Sequence, residues 1–235
     1  MRFAEPLAAA RLIKRYKRFL ADCTIEATGE TVTAHCANSG SMLSLARPGA
    51  RVWLRHSDDP KRKLAWSFVL EETEAGDCVC VDTSLPNALV AEAIAAGLIP
   101  GLDGFATLRR EVKYGRNSRI DILLEDPAKG RVWVEVKNTT LMRTPGLAEF
   151  PDAVTTRGAK HLDELAAQVA LGDRAVMVYL VDRPDCTRMS LAADIDPAYA
   201  AGFEAARRAG VEAIAIAATP TPEGISVGAV VPFAE

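Results

Sequence analysis

The spacing of apolar residues changes character once along this chain, near Asp82, and that change divides what the two stretches can fold into. Before it, five β-prone runs at 11–25, 30–36, 50–56, 63–72 and 77–82 are punctuated by Ala27-Thr28-Gly29, Ser39-Gly40-Ser41, Pro48-Gly49 and Ala75-Gly76. Five short strands predict a small barrel of the OB type, with an SH3-like barrel as its rival. After it, Pro86 near the start and Gly97 just past the end bracket a helix at 86–96. Strand-like segments follow at 108–114, 119–124 and 131–141, joined by hairpin turns at 115–117 and 126–130. A helix at 156–171 sets Leu162, Leu165, Ala166 and Val169 on one face and Arg157, Lys160 or His161, Glu164 and Gln168 on the other. The apolar run 175–181 reads as a buried strand, Asp196-Pro197 opens a helix ended by Gly210, and 211–218 forms a last strand. The expected class is α/β, α+β overall, with a five-stranded OB-like barrel at 1–82 followed by an αβββαβ domain at 83–235.

A chain of 235 residues with 49% hydrophobic and 25% charged residues has the composition of a folded domain, which excludes disorder, collagen and coiled coil. No apolar run approaches the roughly 20 residues of a membrane span, and Met1-Arg2-Phe3-Ala4-Glu5-Pro6 lacks the apolar centre of a secretory signal. The odd set Cys23, Cys36, Cys78, Cys80 and Cys186 fits a reducing compartment and reads as core rather than zinc ligands. The expectation is a cytoplasmic protein without a membrane partner. The formal net charge of −3 conceals +6 over 1–63, −7 over 64–108 and −2 beyond, so the amino-terminal stretch can offer a basic groove to a polyanion.

Ser118-Arg119-Ile120-Asp121 and Val134-Glu135-Val136-Lys137 carry the chemistry. Strand residues alternate faces, so Glu135 and Lys137 project together, opposite Val134 and Val136, and Asp121 sits in the same way between Ile120 and Ile122. Magnesium takes oxygen ligands and keeps several waters, so Asp121, Glu135 and the carbonyl of Val136 meet its requirement, with Mn²⁺ as a substitute. Lys137 can orient an attacking water and stabilise charge on a scissile phosphate. The rival reading is an ordinary solvated strand face. Arg157 and Lys160, near a helix start, favour a phosphate there, and His161 reads as a polar surface residue before it reads as a further phosphate ligand.

The run Lys14-Arg15-Tyr16-Lys17-Arg18-Phe19 interleaves cations with rings, so Arg15, Lys17 and Arg18 suit phosphates and an exposed ring suits a base. Lys61, Arg62 and Lys63 form a turn-borne basic cluster suited to DNA backbone, and Asn38-Ser39-Gly40-Ser41 a small anion-binding turn or a plain hairpin loop. No G-x-S-x-G elbow, phosphate-binding G-x-x-x-x-G-K loop or dinucleotide glycine set appears, so no nucleotide cofactor is expected.

The order αβββαβ, with Asp on the second strand and Glu-x-Lys on the third, resembles the PD-(D/E)XK nuclease superfamily, with Ile120 where its name has Pro. Leu12 through Asp22, Thr33 through Met42, Arg110 through Gly115 and Phe150 through Gly158 are similar, more closely, to the sugar fermentation stimulation protein A family. That resemblance implies an OB-type domain before a nuclease-like domain and DNA binding without sequence specificity, to double- or single-stranded DNA. It also implies a link to sugar or maltose metabolism, as a nuclease or as a binding regulator that no longer cuts. Arg119 joins the expected DNA contacts, and Glu92, on the first helix, is a candidate for the additional acid some superfamily members use, with a plain helix-surface charge as the rival reading.

Overall fold

The structure, a computed structural model, describes residues 1–115 and 118–234; residues 116–117, two of the three expected in the first hairpin joint, and Glu235 lie outside the described residues. The run at 11–25 is two strands rather than one. β1 (Ala8–Tyr16) and β2 (Leu20–Ile25) are antiparallel, and Lys17 and Arg18 reverse the chain between them with φ of 49° and 63°. Consecutive left-handed residues match the twist of a tight hairpin, although neither is the Asn or Gly that usually announces one.

β3 (Thr31–Cys36), β4 (Arg51–His56) and β5 (Trp66–Glu72) complete the order β3-β2-β1-β4-β5, and a parallel β3–β5 pairing closes the barrel. Its interior is filled by the inward-facing residues of each strand, among them Leu12, Ala21, Val52, Leu54 and Phe68. The run expected as a fifth barrel strand, β6 (Cys78–Cys80), instead pairs with the far end of β5, outside the closed ring.

The second half is built on α1 (Pro86–Ala95), β7 (Thr107–Tyr114), β8 (Ser118–Asp126) and β9 (Gly130–Thr139). Asp126 closes the β8–β9 turn by accepting the Ala128 and Lys129 amides at 2.8 and 3.1 Å. β10 (Leu141–Thr144) and β11 (Gly146–Phe150) follow, then α2 (Thr156–Ala170), β12 (Arg174–Val181), β13 (Cys186–Leu191), α3 (Pro197–Arg208), β14 (Glu212–Thr221) and β15 (Gly224–Val231). Thr155 caps α2 through the Gly158 amide, and Asp196 caps α3 through Tyr199 while also accepting the Thr155 amide. The sheet runs β15-β14-β12-β9-β8-β7, with β9, β12 and β14 parallel, and β10-β11-β13 form a separate small sheet. β10, β11, β13 and β15 have no clear sequence counterpart, because short strands such as Leu141-Met142-Arg143-Thr144 owe their shape to a distant partner rather than to alternation.

α1 covers one face of this sheet and α2 with α3 the other. The α1-side core also takes in Val69 and Leu70 of β5 and Cys78 and Cys80 of β6, so barrel and sheet share apolar contacts. All five cysteines are buried and unpaired. No helix among the described residues is long and apolar enough to cross a membrane.

Candidate metal and nucleic-acid site

β8 and β9 pair from Ile122 opposite Val134 to Asp126 opposite Gly130, and above Ile122 the strands part. Ile122 packs into the α1-side core but Ile120 into the α2-side core, so the alternation expected across 120–122 breaks here. On the neighbouring strand Glu111, held at φ 54°, is left out of the β7–β8 pairs although the register is the same on either side of it. Asp121 occupies the gap. Its Oδ2 accepts the Val136 amide at 2.7 Å, replacing the missing strand partner, and its Oδ1 accepts the Asn87 side-chain amide of α1 at 2.7 Å. The N–H and C=O of one extended residue point to the same neighbour, so the Val136 carbonyl faces this seam as well.

Glu135 and Lys137 leave β9 on the face toward α2. Glu135 is 2% exposed, and its Oε1 accepts from Lys137 Nζ at 2.7 Å while His161 Nδ1 contacts the same oxygen. Arg157 Nε stands 3.4 Å from the other ring nitrogen of His161. Glu135 Oε2 is buried without a hydrogen-bond partner among the described residues. Burial pushes the Asp121 carboxyl up, the Glu135 charge adds to this, and the Val136 amide, Lys137 and Asn87 only partly oppose it, leaving a pKa of about 6. For Glu135 burial acts in the same sense but is outweighed by Lys137 and His161, which hold its carboxyl below the usual range.

Asn87, Asp121, Glu135, Val136, Lys137 and Arg157 line a cleft of about 740 Å³ whose opposite wall is the barrel. Arg15 ties down the barrel loop by donating to the Asn38 and Gly40 carbonyls, both at 2.9 Å. Ser41 Oγ donates to the Asp152 carbonyl at 2.6 Å and the Met42 amide to Asp152 Oδ2 at 2.9 Å, so the two walls are joined. A Cβ on Gly40 would meet the Asp152 carboxylate at 2.6 Å, which is why the loop can approach so closely.

Asp121, Glu135, Val136 and Lys137 therefore stand together, with Arg15, Arg18 and Arg157 also lining the cleft. Arg15 is largely engaged by carbonyls. Lys17 is exposed at the hairpin tip, Arg119 is exposed on β8 across from Lys113, and Lys160 Nζ meets Ser118 Oγ at 3.0 Å. Lys61, Arg62 and Lys63 sit on the β4–β5 connection away from the cleft lining, and Arg62 donates to Ser67 Oγ at 2.7 Å. The structure does not bring Glu92 to the seam; it pairs with the Met1 ammonium at 3.1 Å and is 56% exposed. Asn87, on the same helix one turn and a residue earlier, takes the place facing Asp121.

His161, expected at the surface, is 4% exposed. Its place three residues after Gly158 and four before Leu165, both buried on α2, is the signal that could have found it. No three His, Cys, Asp or Glu side chains among the described residues form a ready metal cluster. The donors on offer are two carboxylates and a carbonyl, all oxygen, and the unpartnered Glu135 Oε2 fits a hard cation that keeps several waters.

Comparison with known proteins agrees with this architecture. Residues 13–81 match the family described as SfsA N-terminal OB domain, and residues 84–224 that described as Sugar fermentation stimulation protein RE domain. Sugar fermentation stimulation protein homologs are similar along their whole length. The one from Ruegeria sp. (strain TM1040) is 57% identical, covering 99% of this chain and 100% of its own. That from Rhodospirillum centenum is 59% identical, covering 97% of each chain. A solved structure of Pyrococcus furiosus SfsA in complex with Ca²⁺ superposes with a TM-score of 0.90 at 26% identity, covering 100% of this chain and 98% of that one.

Proposed function

The chain belongs to the sugar fermentation stimulation protein family, and from that membership we propose that it binds DNA without sequence selectivity and hydrolyses phosphodiesters with the help of Mg²⁺. The observation that carries this reading is the recessed pair Asp121 and Glu135, with one buried carboxylate oxygen left unpartnered among the described residues, beside the Lys137 ammonium. Asp121, Glu135 and the Val136 carbonyl would hold Mg²⁺, or Mn²⁺ in its place. A divalent cation at such a site acidifies water and draws charge from a phosphoryl oxygen. The Pyrococcus furiosus protein was solved in complex with Ca²⁺, an ion with the same taste for oxygen, which supports this assignment.

The chain's own residues do the remaining work. The Val136 amide and Asn87 fix the Asp121 carboxylate, and Lys137 and His161 fix that of Glu135. Lys137 orients the attacking water and stabilises charge building on the phosphate. Arg18 and Arg157, on opposite walls, take neighbouring phosphates. Five unpaired, buried cysteines support a cytoplasmic location.

The test is incubation of the purified protein with supercoiled, linear and single-stranded DNA in EDTA, Mg²⁺ or Mn²⁺. Cleavage is expected only with metal, and Asp121→Ala or Lys137→Ala should lower it by about 10²-fold or more. Absence of cleavage on every substrate would sink the enzymatic reading. The second reading, a DNA-binding regulator of sugar or maltose metabolism on a nuclease scaffold, draws support from Glu135 Oε1 being already engaged by Lys137 and His161.

A further inference from the structure

We propose that the cleft takes single-stranded DNA in preference to duplex, with the Phe19 ring as a base-stacking platform at its mouth. The inference deepens the DNA-processing reading above and rests on it.

The first reason is depth. Glu135 is 2% exposed within a cleft of about 740 Å³, a volume of the small-ligand class that accommodates a few nucleotide units rather than the side of a double helix. The Ser41 and Met42 bonds to Asp152 join its walls, which opposes their spreading.

The second reason is the chemistry of the mouth. Phe19 ends the β1–β2 hairpin tip directly after Arg18, which lines the cleft, and is 46% exposed. Val154 lines the facing wall and is 71% exposed. A duplex presents phosphates and hides the faces of its bases, so exposed apolar groups gain nothing from it. An unpaired strand offers both, and cations alternating with an exposed ring suit it.

The structure also selects which ring. Tyr16 is occupied: its hydroxyl donates to Asp22 at 3.1 Å and Lys14 Nζ lies 5.1 Å from its ring centroid. Phe19 has no aromatic or cation–π partner among the described residues. Arg18 beside it can hold the phosphate of the stacked nucleotide.

The experiment is fluorescence anisotropy in EDTA, where metal-dependent cleavage does not interfere, with one labelled oligonucleotide offered alone and annealed to its complement. The single strand should bind about tenfold tighter than the duplex or better. Phe19→Ala should weaken single-strand binding by about 5- to 30-fold while leaving duplex binding unchanged, and Phe19→Trp should restore it. Thermal unfolding of Phe19→Ala close to that of the unsubstituted protein would show that the fold survives. Equal or tighter duplex binding, or a Phe19→Ala effect equal on both forms, overturns the inference. Single-strand preference without metal-dependent cleavage leaves it standing and removes only the catalytic reading. Binding of neither form would remove the inference and DNA binding together.

Discussion

Glu135 shows how much one buried oxygen can decide. Lys137 and His161 converge on Oε1 and leave Oε2 alone, so the side chain is held as a carboxylate with a single open donor. His161→Ala removes one of the two groups that make that ionised state tolerable in a buried place. Urea denaturation should show a loss of about 3 kcal/mol, less for His161→Gln, which keeps a donor; an unchanged midpoint would mean His161 does not support Glu135. Asp182, just past β12, is a second buried acid, fully enclosed, with the weak Cys80 thiol as its side-chain hydrogen-bond partner among the described residues. Burial raises its pKa to about 7, opposed by the Cys80 thiol and reinforced by the Asp82 charge. A carboxyl that holds its proton more tightly folded than unfolded stabilises below its unfolded pKa, and that contribution is lost as pH rises through the folded value. Stability should therefore fall between about pH 4 and 7, by on the order of 4 kcal/mol for this group. Asp182→Asn should flatten that fall, as read from denaturation midpoints across the range.

At the scale of elements, the barrel loop between β3 and β4 behaves as a strap over the sheet. Arg15 shapes it from within, and Asp152 receives it from the segment leading into α2. Asp152→Ala leaves the Met42 amide without its acceptor and should cost about 1 kcal/mol, with faster amide exchange confined to 39–44 in hydrogen-exchange mass spectrometry. Gly40→Ala should loosen the same residues by steric means, since its Cβ would lie 2.6 Å from the Asp152 carboxylate. Protection unchanged in both variants would show that the strap is held by something other than Asp152.

For the whole molecule, the shared core matters most. Val69 and Leu70 of the barrel strand β5 pack in one cluster with Leu89 of α1 and Val134 of β9, so neither half closes its apolar surface without the other. Unfolding should be a single transition. Tryptophan fluorescence, which samples Trp53 and Trp66 in the barrel and Trp133 in β9, should coincide with far-ultraviolet circular dichroism. Leu89→Ala, at 1% exposure, should shift both signals together by about 2–5 kcal/mol. Separate midpoints would show that the halves fold independently.

The elements legible from the chain alone are those whose signal is local. Period-two alternation and Gly and Pro punctuation are written within a few residues, which is why the barrel strands β3, β4 and β5, the helices at Pro86, Thr156 and Pro197, and the pairing of Glu135 with Lys137 on one strand face could be read directly. The remaining features depend on residues far apart in the chain and emerge only on folding. The left-handed turn at Lys17 and Arg18 is imposed by β1–β2 pairing, and β10, β11 and β13 exist because they find one another. Asp121 leaves simple alternation because β8 parts from β9 and a carboxylate fills the ladder. His161 is buried, and Glu92 stays outside, through helix placement on the sheet. A strand's periodicity fixes which way its side chains point. Which oxygen ends without a partner is fixed only when distant elements dock and their polar groups are counted against one another.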